Sequence, residues 1–143
     1  MATRQEGPTF FTLEEANQML PKVHERLLGL RAQREKIRKV DQQKAVEELC
    51  WLQEDGTVSP KAKQQAGLLE ESLDKEVKLF EQQLEQLALL GVELKDLDDG
   101  LVDFYAVRED KLVYLCWKEG EDQIRHWHDL ESGFAGRRPM AEF

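Results

Sequence analysis

The sequence predicts an α+β fold, in which a long antiparallel hairpin of two coiled-coil-like helices is followed by a small three-stranded antiparallel sheet. Through two long segments before residue 91, apolar residues recur at alternating steps of three and four, which is the spacing of a coiled-coil seam. After residue 91 the period falls to two, which is typical of strands. We therefore expect one domain over residues 1–143, with the helical hairpin at 11–91 and a β-meander with a C-terminal strap at 92–143.

The first helix should begin at a capping box, because Thr12 can accept a hydrogen bond from the Glu15 amide while the Glu15 carboxylate reaches back. We expect this helix to run to about Leu49. Pro21 lies inside it and should kink or break it, since proline cannot donate to the preceding turn. The apolar seam consists of Leu13, Ala16, Leu20, Val23, Leu27, Leu30 and Ile37.

The second helix should span residues 60–90, because Ser59 supplies an N-cap and Gly91 is the expected left-handed terminator. If the helices fold back on each other at the turn between them, Leu30 faces Phe80 and the other facing pairs on the two seams are also apolar. One register that mates both seams predicts an antiparallel hairpin.

Three short runs of β-forming residues follow, at 101–107, 112–118 and 123–128. Each run is separated from the next by a short polar turn, which predicts an antiparallel meander. Three strands need one face covered, and the helical hairpin is the available cover.

The net charge of −9 disfavours nucleic acid as a partner. Residues 22–44, by contrast, form a basic run with a net positive charge. Under the hairpin register, its Arg31, Arg34 and Arg38 face the acidic stretch at 70–76. We interpret the run as an ion-paired helix face rather than an anion-binding surface.

No stretch of the sequence is long and apolar enough to predict a membrane span, and the N-terminus has no apolar export signal. We therefore expect a cytoplasmic protein. Its two cysteines, Cys50 and Cys116, should be free thiols in that reducing compartment.

Cys116, His126 and His128 are the candidate metal ligands. The two histidines lie two residues apart and share one strand face, and Cys116 lies on the neighbouring strand. The site requires the turn to pair Cys116 with His126; a shift of one residue would separate them. Zinc suits these donors. A carboxylate would be the fourth ligand, from Glu119, Glu121 or Asp103.

Two alternatives to the metal site remain. The histidines could be half-exposed strand residues beside a cysteine that packs as a small hydrophobe. Cys116 could also be a thiol nucleophile beside a histidine base, although no glycine-rich oxyanion loop surrounds it.

The candidate ligand-binding residues are Asp103, Trp117, Glu121 and Arg137. The glycines on either side of Phe134, together with Arg137, could cradle a phosphate or carboxylate. In the alternative, this segment is a strap in which Phe134 covers the sheet edge and Arg137 pairs with Asp103. Trp117 could form a stacking platform with the tryptophan of the next strand, with core packing as the more common alternative.

Short motifs spread over nearly the whole chain give a resemblance to a bacterial domain-of-unknown-function family. The motifs are Phe11–Asn17, Gly91–Val92, Lys95–Leu97, Gly100–Phe104, Leu115–Trp117, Gly120–Glu121, Trp127–His128 and Gly133–Arg137. The resemblance implies a small cytoplasmic bacterial protein and supplies no activity, substrate or site.

Two classes of function are consistent with these features. The first is an interaction or structural module that acts through its helical hairpin, binding a protein partner or forming a homodimer. The second is a small metal- or anion-binding domain or enzyme that uses His126, His128, Cys116, Asp103 and Arg137 on the sheet.

Overall fold

The structure, a computed structural model, describes residues 9–51 and 53–143, apart from the side chains of Phe134 and Glu142. Two long helices are followed by an antiparallel sheet, which confirms the predicted α+β class. Within the described part of the chain, no helix combines the length and the apolar character that crossing a membrane requires.

The chain divides into two compact units. The sheet unit contains the chain up to Leu28 together with Glu85–Phe143, and the hairpin unit contains Gly29–Leu84. All the candidate site residues belong to the sheet unit.

Helix α1 spans Leu13–Trp51. The predicted capping box is confirmed: the Glu15 amide donates to Thr12 Oγ1 over 3.1 Å, and the Thr12 amide donates to Glu15 Oε1 over 3.0 Å. The helix continues through Pro21 without a break.

Helix α2 spans Pro60–Leu89. Ser59 caps its start, because the Ala62 amide donates to Ser59 Oγ over 3.1 Å. Gly91 ends it with a φ of +90°, and a β-carbon there would lie 2.8 Å from Thr9 Cβ. Both predicted helix signals are confirmed.

Contacts between the helices confirm that they are antiparallel and close to the predicted register. In the hairpin unit, Gln33 Nε2 donates to the Glu76 carbonyl over 2.8 Å, and the seam residue Leu30 is fully buried. In the sheet unit, Arg26 Nη1 donates to Gln86 Oε1 over 3.0 Å.

The basic run is ion-paired only partly as predicted. Lys44 Nζ pairs with Glu70 of α2 over 2.7 Å. The guanidinium of Arg38 pairs instead with Glu35, one turn earlier on α1, with Nε to Oε2 at 2.9 Å. Residues three positions apart on a helix are neighbours on its surface, so Arg38 and Glu35 can pair directly.

The sheet has five strands, so the predicted number of three is wrong. The strands lie in chain order: β1 (Val92–Asp96), β2 (Leu101–Arg108), β3 (Lys111–Lys118), β4 (His126–Asp129) and β5 (Arg138–Pro139). The three predicted strands form as the central strands, the first two close to their predicted bounds, and one short strand is added at each edge. Strand β4 starts later than predicted, because the Ile124 amide donates to Asn17 Oδ1 of α1 over 2.7 Å instead of joining a ladder.

The register that the metal hypothesis required is confirmed. Cys116 pairs with His126 and Tyr114 pairs with His128 across β3 and β4. Across β2 and β3, Asp103 pairs with Cys116. The candidate residues of three adjacent strands therefore lie in one transverse region of the sheet.

The two faces of the sheet differ in chemistry. The core face carries Val102, Phe104 and Leu115, which are all fully buried. The polar face carries the residues that alternate with them, namely Asp103, Tyr105, Tyr114, Cys116 and His128. This alternation decides which side chains can form a site.

Candidate functional site

Three buried side chains of the polar face, Asp103, Cys116 and His128, converge from β2, β3 and β4. One donor atom from each, a carboxylate oxygen, a thiol sulfur and a ring nitrogen, lie within 4.8 Å of one another. Among the residues that the structure describes, this is the one group of three such donors. We call it the Asp–Cys–His cluster.

Both ring nitrogens of His128 face oxygen atoms. Nδ1 lies 2.7 Å from the Asp129 carbonyl oxygen, and Nε2 lies 3.0 Å from Asp103 Oδ2. A carbonyl oxygen only accepts, so Nδ1 carries a proton and donates it. A second proton must then lie between Nε2 and Oδ2, either on an imidazolium or on a carboxylic acid.

The second oxygen of Asp103 is poorly satisfied. Oδ1 is buried and accepts no hydrogen bond of ordinary geometry within the described residues, although the Cys116 thiol lies close to the carboxylate. A buried carboxylate oxygen without a donor is costly in a folded protein. It is an available donor atom for a cation.

Burial dominates the protonation of the cluster. It raises the pKa of Asp103, and the nearby charges of His128 and Lys95 act in the opposite direction. Burial also raises the pKa of Cys116 to about 12, reinforced by the Asp103 charge and opposed by Arg137. Without a bound metal the thiol is therefore protonated at neutral pH, which disfavours the thiol-nucleophile alternative.

The cluster lines a cavity of about 150 Å³. Leu101 and Tyr114 of the sheet, with Leu130 and Gly133 of the segment after β4, form much of its remaining wall. Lys95 of β1 brings a positive charge to the same cavity. The cavity therefore joins three donor atoms, one ammonium group and apolar wall.

A polar network beside the cavity fixes the position of Lys95. Its Nζ lies 2.6 Å from Glu93 Oε1 and 5.1 Å from the centre of the Tyr114 ring. The hydroxyls of Tyr105 and Tyr114 both donate to Glu93 Oε2, over 2.9 and 3.0 Å. The sequence prediction missed Lys95 and Glu93, although β1 alternates in the same period as the other strands.

Arg137 is half-buried and its charge acts on the Cys116 thiol, so this predicted ligand-binding residue does lie beside the cluster. The segment before it supplies Leu130 and Gly133 to the cavity wall, which agrees with a strap over the polar face. The predicted covering role of Phe134 concerns a side chain outside those described.

Trp117, Glu121 and His126 form a separate group at the end of β3. The Trp117 indole is buried and donates to the Glu121 carbonyl over 3.0 Å. The Glu121 carboxylate accepts from the Lys118 amide over 2.7 Å and lies 3.6 Å from His126 Nδ1. His126 is therefore aligned with Cys116 in the ladder but is not part of the Asp–Cys–His cluster.

Trp117 and Trp127 do not form a stacking platform at the surface. Trp117 and Trp127 are both buried on the core face. The Trp127 ring is contacted by the guanidinium groups of Arg108 and Arg138, at 4.7 and 5.2 Å from its centre. Core packing, the alternative interpretation, accounts for both residues.

A family model described as "Uncharacterized conserved protein (DUF2203)" matches residues 9–140. The chain belongs to this family. Membership of DUF2203 confirms the resemblance to a family of unknown function, and the match spans both helices and the sheet. No curated protein and no solved structure matches the chain. The family description names no activity.

Proposed function

We propose that this protein binds a divalent transition metal ion, with zinc the best match, through a carboxylate oxygen of Asp103, Cys116 Sγ and His128 Nε2. The single observation that carries the proposal is the 2.7 Å hydrogen bond from His128 Nδ1 to the Asp129 carbonyl. Metal-bound histidines almost always donate their other ring N–H to such an acceptor, which directs the lone pair of the first nitrogen at the metal.

The donor set supports a borderline metal. Thiolate and imidazole favour zinc over magnesium or calcium, and a carboxylate completes sets of this kind. Donor atoms around tetrahedral zinc lie roughly 3.3–3.8 Å apart, as its bond lengths require. In the cluster His128 Nε2 and Asp103 Oδ2 lie 3.0 Å apart and no two donor atoms are more than 4.8 Å apart, so shifts of about 1 Å or less reach that arrangement.

The scaffold also supports the proposal. Each ligand is on a different strand, and the three strands are joined by continuous ladders that fix the ligands' spacing. Three protein ligands leave one coordination position for water or another molecule, which is typical of zinc sites that act on ligands rather than purely structural ones. Free thiols, as expected for the cytoplasm, keep Cys116 available.

A catalytic His–Asp pair without a metal fits less well. In such a pair the carboxylate holds one ring nitrogen while the other stays available to the substrate. Both nitrogens of His128 are already bound to oxygen atoms. A metal resolves this conflict because it takes the place of the shared proton.

The test is a zinc titration of metal-free protein by calorimetry. Each ligand variant has a control variant at another residue of the same type in this chain. Cys116→Ser and His128→Gln should each weaken zinc binding by about tenfold to a hundredfold, since each removes one ligand. Cys50→Ser and His126→Gln are the controls: Cys50 is an exposed thiol, and His126 shares a strand face with His128. They should leave the affinity unchanged.

A wild-type protein that does not bind one equivalent of zinc would contradict the proposal. The proposal is also wrong if the control variants lose as much affinity as the ligand variants. Circular dichroism of every variant establishes that the fold is kept.

A second candidate function, interaction through the helical hairpin, is favoured by exposed apolar side chains. Val46, Leu49 and Leu68 of the hairpin unit are 57, 83 and 55% exposed. Apolar groups left in water on a helix surface are typical of an interface, and a homodimer is the commonest form. Sedimentation at micromolar concentration should then give a dimer that Leu49→Gln weakens, whereas a 16.6 kDa species throughout would contradict this candidate.

A further inference from the structure

We infer that the remaining coordination position binds the carboxylate of a small organic acid, whose charge is paired with Lys95. The inference rests on the proposed metal site and adds the class of ligand. It is carried by the cavity, in which the three proposed metal ligands and Lys95 line one space.

The charge of the site favours an anion once a metal is bound. The Asp103 carboxylate and a Cys116 thiolate together neutralise a divalent ion, while His128 contributes no charge. Lys95 places a positive charge on the cavity wall, and the charge of Arg137 acts on Cys116 in the same cavity. A monoanion at the metal is attracted by these charges, whereas a neutral ligand is not.

Lys95 is held where it can take part. Its ammonium group has three donors, one directed at Glu93 Oε1, and its position over the Tyr114 ring keeps it at the cavity wall. Glu93 is itself fixed by the two tyrosine hydroxyls. The ammonium group is therefore positioned before a ligand arrives, which lowers the entropy cost of binding.

The walls and the volume favour an organic acid over an inorganic anion. Leu101, Leu130 and the Tyr114 ring give the cavity apolar surface that inorganic phosphate cannot use. A volume of about 150 Å³ is large enough for an acid with a short carbon chain and too small for a nucleotide. The metal and the Lys95 ammonium group thus suit the carboxylate of one molecule, and the apolar wall suits its carbon chain.

The test uses protein loaded with cobalt(II), whose visible absorption reports its coordination, and propionate as the probe. Propionate should change the visible spectrum and saturate. Lys95→Met should weaken propionate binding by about tenfold, the loss of one charge-assisted contact, with cobalt affinity unchanged. Lys111→Met is the matched control, because Lys111 is an exposed lysine outside the cavity wall, and it should leave propionate binding as in the wild type.

Leu130→Ala is a second variant that leaves the Lys95–Glu93 network intact. Leu130 is 45% exposed, so an alanine is tolerated there, and the loss of apolar wall should weaken propionate binding about threefold. Cobalt affinity should stay the same, because no proposed metal ligand changes. This variant keeps the inference testable if Lys95→Met unfolds the edge strand.

The outcomes separate this inference from the proposed function. Protein that binds no cobalt defeats the metal site itself. Cobalt bound with a spectrum that propionate does not alter leaves the metal site standing and overturns the inference. Inorganic phosphate that binds more tightly than propionate, or equal binding by the wild type and Lys95→Met, also overturns it.

Discussion

Asp103 and Phe104 are neighbours on β2 and are equally buried, at 1 and 0% exposure, but they lie on opposite faces of the sheet. Burying the Phe104 ring stabilises the fold because it removes apolar surface from water. Burying the Asp103 carboxylate opposes folding, since only one of its oxygens accepts a good hydrogen bond. Burial to the same extent therefore stabilises the fold on the core face and destabilises it on the polar face.

This contrast supports the proposal that the polar face carries the function. A sheet that needed only stability would be served by apolar residues on both faces, because replacing buried charged groups by apolar ones is often neutral or stabilising. The polar face instead brings a carboxylate, a thiol and an imidazole to one cavity. The core face supplies the rigidity that holds these three groups at a fixed spacing.

The largest expected effect is on the core face. Phe104→Ala should lower the free energy of unfolding by about 3–5 kcal/mol, because it removes a fully buried ring and leaves a cavity. Urea unfolding followed by circular dichroism measures it. Val107→Ala, on the same strand but 55% exposed, is the control and should change stability by less than about 0.5 kcal/mol. Similar losses in both variants would erase the distinction between core and surface.

The protein should become more stable when zinc binds at the polar face. Free zinc at a hundred times its Kd should raise the free energy of unfolding by about 2.7 kcal/mol, since zinc binds the folded protein and much less the unfolded chain. Thermal unfolding with and without zinc measures the gain. Cys116→Ser should lose most of it and Cys50→Ser none; a gain that survives in Cys116→Ser would place the metal elsewhere.

Without metal, Asp103→Asn should be at least as stable as the wild type at neutral pH, with a difference of about 1 kcal/mol. The sign follows from the pKa of Asp103, which burial raises above its usual 3.8. Above that value the folded protein holds a proton that the unfolded chain has released. The stability of the wild type, relative to Asp103→Asn, therefore falls as the pH rises from about 4 toward the folded-state pKa.

Urea unfolding of both proteins between pH 4 and 8 measures this difference. A wild type that becomes more stable than Asp103→Asn as the pH rises would mean that the carboxylate is stabilised by its surroundings. The contrast between the two faces of the sheet would then be wrong.

The smallest expected effect sharpens the role of the network around Lys95. Tyr114→Phe removes the hydroxyl that donates to Glu93 Oε2 and should cost about 1 kcal/mol, a typical value for one hydrogen bond. Calorimetric zinc affinity should stay unchanged, because the hydroxyl is not among the proposed ligands. A large loss of zinc affinity would show that the network and the metal site are one unit.

Much of the fold was predictable because it depends on local signals. The helix ends at Thr12, Ser59 and Gly91 follow from capping chemistry, and the seams fix the antiparallel register. The edge strands were missed for a physical reason. Strand β1 follows directly on the helix terminator and has only five residues, while β5 has two and includes Pro139.

The candidate site was predictable in part. Alternation along β3 and β4 placed Cys116 and His128 on one face, and the required register formed. The position of Asp103 depended on the turn between β2 and β3. Glu109 and Asp110 form that turn with positive φ values of 49° and 62°, so the loop has two residues and pairs Asp103 with Cys116. The turn contains neither glycine nor asparagine, the residues that usually indicate such positive φ values in a sequence.

X-ray absorption at the zinc edge of the loaded protein tests the central claim most directly. The account predicts one sulfur neighbour at about 2.3 Å and nitrogen or oxygen neighbours at about 2.0–2.2 Å, with the sulfur shell lost in Cys116→Ser and kept in Cys50→Ser. A spectrum without sulfur, or one that Cys116→Ser leaves unchanged, would contradict the metal site on the polar face.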